Sequence, residues 1–338
     1  MGDVIATSFG VLNYDGMLFR KGNVKTPFSS MIAGRMKYTD HVEFVTGQDY
    51  SVGGGSQPAI SETASLTAPD ATVTTRTQHT NVTQIFQKSV YVSYGKMSNM
   101  GTLSGLNVAG QRANPMSELD FQVAVKAQEV ANDIEYTFIN GAYQKAANDA
   151  TANKTRGMAT AITTNVIAMS SKPLGLWDVA EAIKEIGEQG ADTEDLVLWV
   201  DMVTRFQLNA DAINNGLTIV PAAREINGIN VDKLVTPAGA IYIRDGKYLA
   251  TGVALVINPM VVAPVYQPTP GHGNFFLEEL AKTGAGSKYQ LFGQIGLDHG
   301  PEWCHAKFTG IADTFTAPTY SKRVYIDGGT LTTEANAG

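Results

Sequence analysis

NPMSELDFQVAVKAQEVANDIEYTFING, residues 114–141, reads as one long amphipathic helix in a chain otherwise rich in strand and turn chemistry. Its apolar row is Leu119, Val123, Ala127, Val130, Ile134 and Phe138, spaced four, four, three, four and four apart, which is one stripe of a helical period. Asn114 is the expected cap for the first orphan amides, Pro115 takes the first helical position, and Asn140-Gly141 supplies a left-handed stop. About 26 residues at 1.5 Å rise make a rod of roughly 39 Å, long enough to be the spine of a domain.

Upstream of the spine the period changes to two. Val42 and Phe44 share one face, a polar tip follows at Gly53-Gly54-Gly55-Ser56, and a threonine-rich return arm places Val82, Phe86, Val90 and Val92 on one parity. With about 25 residues per arm at roughly 3.3 Å each, such a hairpin reaches on the order of 70–80 Å. A bare two-stranded ribbon is marginal in water, so it needs a surface that nothing nearby in the sequence provides. Residues 1–37 show no strong period and read as an extended arm, within which Thr26 caps and Pro27 opens a short helix.

Downstream, residues 146–171 are rich in Ala, Thr and Asn and read as loop. A compact α/β rhythm follows: a helix over 176–188 with Leu176, Val179, Ala180 and Ile183 inward, a buried strand over 196–200, a helix over 203–213, and strands over 226–235 and 240–244. Further strands are expected at 253–257, 261–266, 275–280, 288–297 and 303–311, returning to cover the spine. Trp177 and Trp199 are expected in the core of the α/β unit, and Trp303 against the returning sheet.

Composition bounds the function. Across 338 residues only 17% are charged and 34 are glycine, and a net charge of −7 argues against a surface built to neutralise phosphates, though not against a chain that encloses nucleic acid. A single cysteine, Cys304, cannot form an intramolecular disulfide. The longest apolar stretch, 253–265, is broken by Asn258, Pro259 and Pro264 and is too short to span a bilayer, and no basic and apolar leader opens the chain. The Asn81-Val82-Thr83 sequon therefore carries little weight.

The order of arm, long hairpin, spine, α/β unit and returning strands resembles the major capsid protein of tailed bacteriophages, the Hong Kong 97-like fold, an α+β architecture. Thr26-Pro27-Phe28, the return arm Thr80-Asn81-Val82-Thr83-Gln84-Ile85-Phe86 running into Val90-Tyr91-Val92-Ser93, and the spine segment Asp133-Ile134-Glu135-Tyr136 carry the likeness. It implies an N-terminal arm at 1–37, an extended loop at 38–94, the first part of a peripheral domain at 95–175 with its spine at about 115–140, an axial domain at 176–252, peripheral return strands at 253–325 and a C-terminal tail at 326–338. It also implies self-assembly into hexamers and pentamers of an icosahedral head around double-stranded DNA, with no enzyme activity, cofactor or membrane. The loop tip, Gly53, Gly54, Gly55 and Gln57, is then the expected inter-subunit contact. The shell would be assembled in the bacterial cytoplasm with a portal, a decoration protein on some shells, and a separate scaffolding protein, since the chain starts with Met1 at the arm. A protein nanocompartment shell of the encapsulin kind is the alternative within the same fold.

One stretch supports a different class. Asp298, His299, Glu302, Cys304 and His305 could ligate zinc or pair a thiol with an imidazole, which would make a metal-dependent hydrolase. The stretch has neither a Cys-x-x-Cys pair nor an H-E-x-x-H helix, and a buried structural Cys304 is the plainer reading. Gly284-Ala285-Gly286-Ser287-Lys288 lacks the spacing of a phosphate loop and reads as a hairpin turn. Glu129 and Asp133, one helical turn apart, read as a solvated face of the spine.

Some relatives of this fold join their shells covalently through a lysine on the extended loop. No lysine occurs between Lys37 and Lys88 here, so assembled particles boiled in denaturant are expected to run as single chains. A ladder on that gel contradicts the lysine argument.

Overall fold

The computed structural model describes residues 25–53, 55–97, 118–214, 220–226, 229–236, 239–282, 284–314, 324–327 and 330–333. The first part of the chain forms helix α1 (Pro27–Ile32), strands β1 (Lys37–Tyr38) and β2 (Glu43–Tyr50), the single-turn helix α2 (Glu62–Ser65), strands β3 (Arg76–Val82) and β4 (Gln84–Ser93), and helix α3 (Tyr94–Met97). The spine is α4 (Glu118–Asn140), followed by α5 (Met158–Ala161) and β5 (Val166–Ala168). The α/β unit contributes α6 (Leu176–Glu188), β6 (Leu196–Val200), α7 (Met202–Asn214), β7 (Val220–Ile226), β8 (Ile229–Thr236) and β9 (Gly239–Asp245). Strands β10 (Val253–Ile257), β11 (Ala263–Tyr266), β12 (Phe275–Glu279), β13 (Gly286–Asp298) and β14 (Ala306–Thr309) return, and β15 (Val324–Asp327) pairs with β16 (Thr330–Thr333).

Leu196-Val197-Leu198-Trp199-Val200 is apolar on both parities, so β6 has to be covered on both faces. It lies inside a seven-stranded mixed sheet of order β5-β14-β10-β6-β9-β8-β7. Leu196, Leu198 and Val200 point into a core with Ile183 and Ile186 of α6 and Leu208 of α7. Val197 and Trp199 point the other way, into a core shared with Phe28 of α1 and Val130 and Phe138 of α4. The same alternation divides Ala254 and Val256 from Leu255 and Ile257 on β10. Phe28 meets Trp199 edge to face at 5.5 Å between ring centres, so the arm helix is packed into this second core.

The second sheet is built on the thirteen-residue β13. It pairs antiparallel with β4 along one edge, from Gly286↔Ser93 to Ile295↔Gln84, and with β12 and β11 along the other. The predicted parity holds on the return arm, where Val82, Phe86, Val90 and Val92 are all buried. Helix α6 spans the predicted residues and buries Leu176, Val179, Ala180 and Ile183 as expected. The strands at 196–200 and 253–257 also fall on the predicted residues. The stretch read as loop, 146–171, contains the two short elements α5 and β5.

Several local expectations are corrected. The start of the spine, with Asn114 and Pro115, lies outside the described residues. Along the described helix Val130 and Phe138 are buried and Leu119, Val123 and Ile134 half-buried, but Ala127 is exposed, because the face that meets the core is turned to include Glu135 and Ile139. Gly141 does not adopt a left-handed conformation. It is needed for space, since a Cβ there would lie 2.5 Å from the carbonyl oxygens of Thr137 and Thr155. Trp177 is 75% exposed on the outer side of α6 and does not join Trp199 in the core. The hairpin is paired only over β2 and β3; the 25 residues of 51–75 between them hold the single turn of α2 and no described strand.

Thr26 does not cap α1 with its side chain, although Pro27 opens the helix as expected. The cap comes from the spine. The Glu135 carboxylate accepts the Phe28 N–H at 2.8 Å, the Ser29 N–H at 2.7 Å and the Ser29 hydroxyl at 2.6 Å. Burial raises the Glu135 pKa, and the three hydrogen bonds oppose that rise. An uncharged Gln at this site turns an amide NH₂ towards one of those donors. Glu135→Gln is therefore expected to lower folding stability by about 1–3 kcal/mol in denaturant titration. An unchanged midpoint would show that the arm is held by packing alone.

Candidate functional site at the hairpin root

The hairpin joins the body where β3 runs into β4. The two are one extended chain from Arg76 to Ser93, interrupted at Thr83, and they belong to different sheets: β3 pairs with β2, β4 with β13. Asn81 fixes the junction. It is fully buried, its amide donates to the carbonyls of Leu297 at 2.7 Å and Arg156 at 3.1 Å, and its oxygen accepts the N–H of Val82 at 2.9 Å and of Arg156 at 2.8 Å. All four hydrogen bonds an asparagine side chain can make are satisfied, which removes the sequon from any surface role. Thr83 completes the turn, its N–H donating to Val42 O at 2.8 Å and its hydroxyl to Gln267 Oε1 at 2.6 Å.

The other strand of the root is seated on the turn after β13. A bulge between Val45 and Gly47 adds Thr46 to β2. A Cβ on Gly47 would stand 3.4 Å from the Pro301 backbone, so the bulge rests on the Gly300-Pro301 turn. Gly300 makes that turn in a left-handed conformation, φ +65°, packed so closely on Val261 that a side chain would collide with it. Across the pair, His79 Nε2 meets Asp49 Oδ2 at 3.1 Å and the Thr80 hydroxyl donates to Glu43 at 3.0 Å. Lys145 pairs with Glu43 and ties β2 to the body, and Lys37 of β1 pairs with Asp298 at the end of β13.

The 298–305 stretch is the other half of this seat. His305 is fully buried; its Nδ1 accepts the Asn258 N–H at 3.1 Å and its Nε2 donates to His299 O at 2.8 Å. Both ring nitrogens are thereby committed to backbone. Burial pushes its pKa down to about 4, with a smaller opposing effect from that hydrogen bond. His299 is buried with Nδ1 on Gly300 O at 2.7 Å, its Nε2 has no partner, and burial lowers its pKa. Burial pushes the Cys304 thiol up to about 11, helped by Asp49 and Glu302, the opposite of what a nucleophile requires. Asp298 bonds Lys37 and the Gly300 N–H, and Glu302 accepts from Thr163 and Thr164. Among the described residues no three His, Cys, Asp or Glu side chains are arranged to hold a metal ion. The two histidines and both carboxylates are engaged in bonds within the fold, and the Cys304 thiol is buried beside them.

The structure does not bring the other sequence-selected residues to this root. Gly53, Gly55 and Gln57 are exposed beyond β2, with Gly55 in a left-handed conformation and open space around it, and Gly54 lies outside the described residues. Glu129 is ion-paired with Lys126 on the spine itself, and Asp133 with Lys88 of β4, which joins the spine to the neighbouring sheet. Asn81 and Glu135 were quoted in the sequence only as parts of motifs. Glu135 could have been found from its place one turn before Phe138 and Ile139, where a carboxylate interrupts a buried face and must have donors.

A model of the SU10 major capsid protein family matches residues 3–312. No curated protein matches the chain. Among solved structures it is similar to the SrpI encapsulin of Synechococcus elongatus PCC 7942, with a TM-score of 0.60 at 10% identity over 91% of this chain and 95% of that one. It is also similar to the capsid of the cyanophage P-SCSP1u, with a TM-score of 0.54 at 11% identity over 89% and 93%, and to that of the Myoviridae phage XM1, with a TM-score of 0.54 at 10% identity over 90% and 96%.

The two buried histidines set an acid limit. A histidine whose pKa is lowered by folding contributes stability above its unfolded value of 6.5, and that contribution is lost as pH falls through 6.5 towards the native value, about 4 for His305. The melting temperature is expected to hold from pH 8 to 7 and then fall steadily to pH 4.5, with a shallower fall for His305→Gln. An equal slope in the variant and the parent chain would remove His305 from the account.

Proposed function

The chain belongs to the SU10 major capsid protein family, and from that premise we propose how this Hong Kong 97-like subunit builds its shell. Copies assemble as hexamers and pentamers into an icosahedral phage head that encloses double-stranded DNA. The observation that carries this reading is the hairpin beyond its root. From residue 51 to 75 every described residue is exposed, including Val52 at 80%, Ile60 at 67%, Leu66 at 84% and Val73 at 87%. Four large aliphatic side chains on a ribbon with a locked base and an uncovered tip are accounted for by a neighbouring copy.

In this reading 1–37 is the arm, 38–94 the extended loop, 95–175 and 253–325 the peripheral plate, 176–252 the axial domain at the capsomer centre and 326–338 the tail. The loop tip, with Gly53, Gly54, Gly55 and Gln57, lies on the next subunit. Each such contact is weak and is multiplied round a closed shell. Net charge −7 fits a wall that contains nucleic acid without gripping its phosphates. A scaffolding protein, a portal and a decoration protein are the further partners, and assembly takes place in the bacterial cytoplasm. The encapsulin likeness concerns the fold; the family favours the phage head over a nanocompartment.

Electron microscopy of the purified protein, with light scattering for mass, is expected to show rings, tubes or closed shells. A stable 36.1 kDa monomer at high concentration counts against the reading. Deleting residues 51–72, beyond the root, is expected to leave a folded, assembly-defective subunit. If that deletion unfolds the body, the division between loop and plate is wrong.

A further inference from the structure

Helices α6 and α7 present different outer sides. After Trp177 in its first turn, α6 exposes Glu181, Lys184 and Glu188, with Lys184 and Glu188 ion-paired one turn apart, a side suited to water. On α7 the exposed stripe is Met202, Phe206 and Asn209, spaced four and three, with Met202 64% and Phe206 48% exposed. In sequence the stripe continues to Ile213, four residues further on. One outer helix face is charged and its neighbour is largely apolar.

The chain is delivered to that same helix after β14. Gln207, buried beside Phe206, donates its amide to Ala312 O at 2.7 Å and Thr314 O at 2.8 Å, while its oxygen accepts the Leu174 N–H at 3.3 Å. The family match ends at residue 312, so the part beyond has to be read from its own residues. There β15 and β16 pair antiparallel, Val324↔Thr333 and Ile326↔Leu331, and among the described residues they pair with no other strand. In that register the alternating sequence puts the positions of Val324, Ile326 and Leu331 on one face and those of Tyr325, Asp327 and Thr332 on the other. A two-stranded ribbon with one apolar face is marginal until that face is covered.

We propose that the β15–β16 ribbon lies along α7 of its own subunit, with Val324, Ile326 and Leu331 against Met202 and Phe206. The contact is made within one chain and does not depend on the capsid reading. Residues 315–323, between the Gln207 clamp and β15, span at most about 30 Å. Helix α7 has 13 residues and is about 20 Å long, with Gln207 near its middle, so the whole stripe lies within reach. A surface tethered by so short a connection is met at an effective concentration on the order of millimolar, ahead of any second copy. The charged side of α6 offers an apolar face nothing to bury against, and the α7 stripe does.

Paired cysteines in full-length protein test this. Phe206→Cys is combined with Val324→Cys, Ile326→Cys or Leu331→Cys, which cover both strands of the ribbon, and the protein is mildly oxidised. The native Cys304 is buried with its thiol pushed up to about 11 and stays out of the reaction. At least one pair is expected to close within a single chain, seen on a non-reducing gel as a 36.1 kDa species that runs ahead of its reduced form. Lys184→Cys, on the charged side of α6, is expected to close with none of the three. In hydrogen exchange the amides of 324–333 are expected to be protected at least about tenfold over the same residues in a free peptide. Met202→Asp and Phe206→Asp, both at exposed positions, should each remove that protection while α6 and β6 keep theirs. Failure of all three pairs to close, equal closure through Lys184→Cys, peptide-like exchange in the unmodified chain, or protection that survives both aspartates overturns the proposal. A ladder in multiples of 36.1 kDa from the Phe206→Cys pairs assigns the stripe to a second copy and overturns it as well. None of these results bears on the capsid reading, which is decided by whether the unmodified chain assembles.

Discussion

One extended segment shared by two sheets is the constraint on which the rest of this molecule depends. A strand that leaves one sheet to join another must bend, and a bend exposes backbone polar groups that need partners. Asn81 supplies them at the bend, substituting a side-chain amide for the missing ladder while staying fully buried. The cost of burying an amide is offset only because all four of its hydrogen bonds are made. With the junction fixed, β4 is committed to β13 over ten residue pairs, and the direction in which the hairpin leaves the body is set.

Glu135 does for the arm what Asn81 does for the hairpin. A helix of six residues, α1, has too few internal bonds to stand alone. It is held by a carboxylate from a distant helix on its first amides and by Phe28 against Trp199. The negative group at a helix N-terminus is favourable by charge as well as by hydrogen bonding. The three sequence motifs that carried the family likeness thus meet in two buried polar anchors. Thr26-Pro27-Phe28 and Asp133-Ile134-Glu135-Tyr136 form one, and the Thr80-Asn81-Val82 segment forms the other. One anchor fixes α1 to the spine and the other fixes the hairpin root to the body.

Periodicity made the body legible. Helix α6 falls on the predicted residues because its inward face repeats with the helical period, and β6 and β10 because each is a short apolar run covered on both faces. The failures lie where structure is set by contacts distant in sequence. Thr26 followed by proline is a sound local cap signal, but the cap came from a residue more than a hundred positions away. Gly141 followed a helix as a left-handed stop would, yet its role is close approach to the 155–157 backbone. Trp177 has the composition of a core residue and sits on the outer side of α6, where no pattern in one chain can say what covers it. The 298–305 stretch has the residue types of a catalytic site, and only geometry shows both nitrogens of His305 spent on backbone.

A self-assembling subunit must fold completely without completing its interfaces. The division seen here meets that condition: the polar anchors lie at or below the hairpin root, and between Tyr50 and Arg76 every described residue is exposed. In the proposed assembly the entropy of ordering residues 51–75 is spent only when a neighbour arrives, which keeps each pairwise contact weak. Weak contacts allow a misplaced subunit to leave, and closure of a ring or shell makes the correct placement cumulative. Replacing the uncovered tip with a self-sufficient hairpin would make a more stable monomer, and would remove the exposed apolar side chains that, in the proposed assembly, give one copy a reason to bind the next.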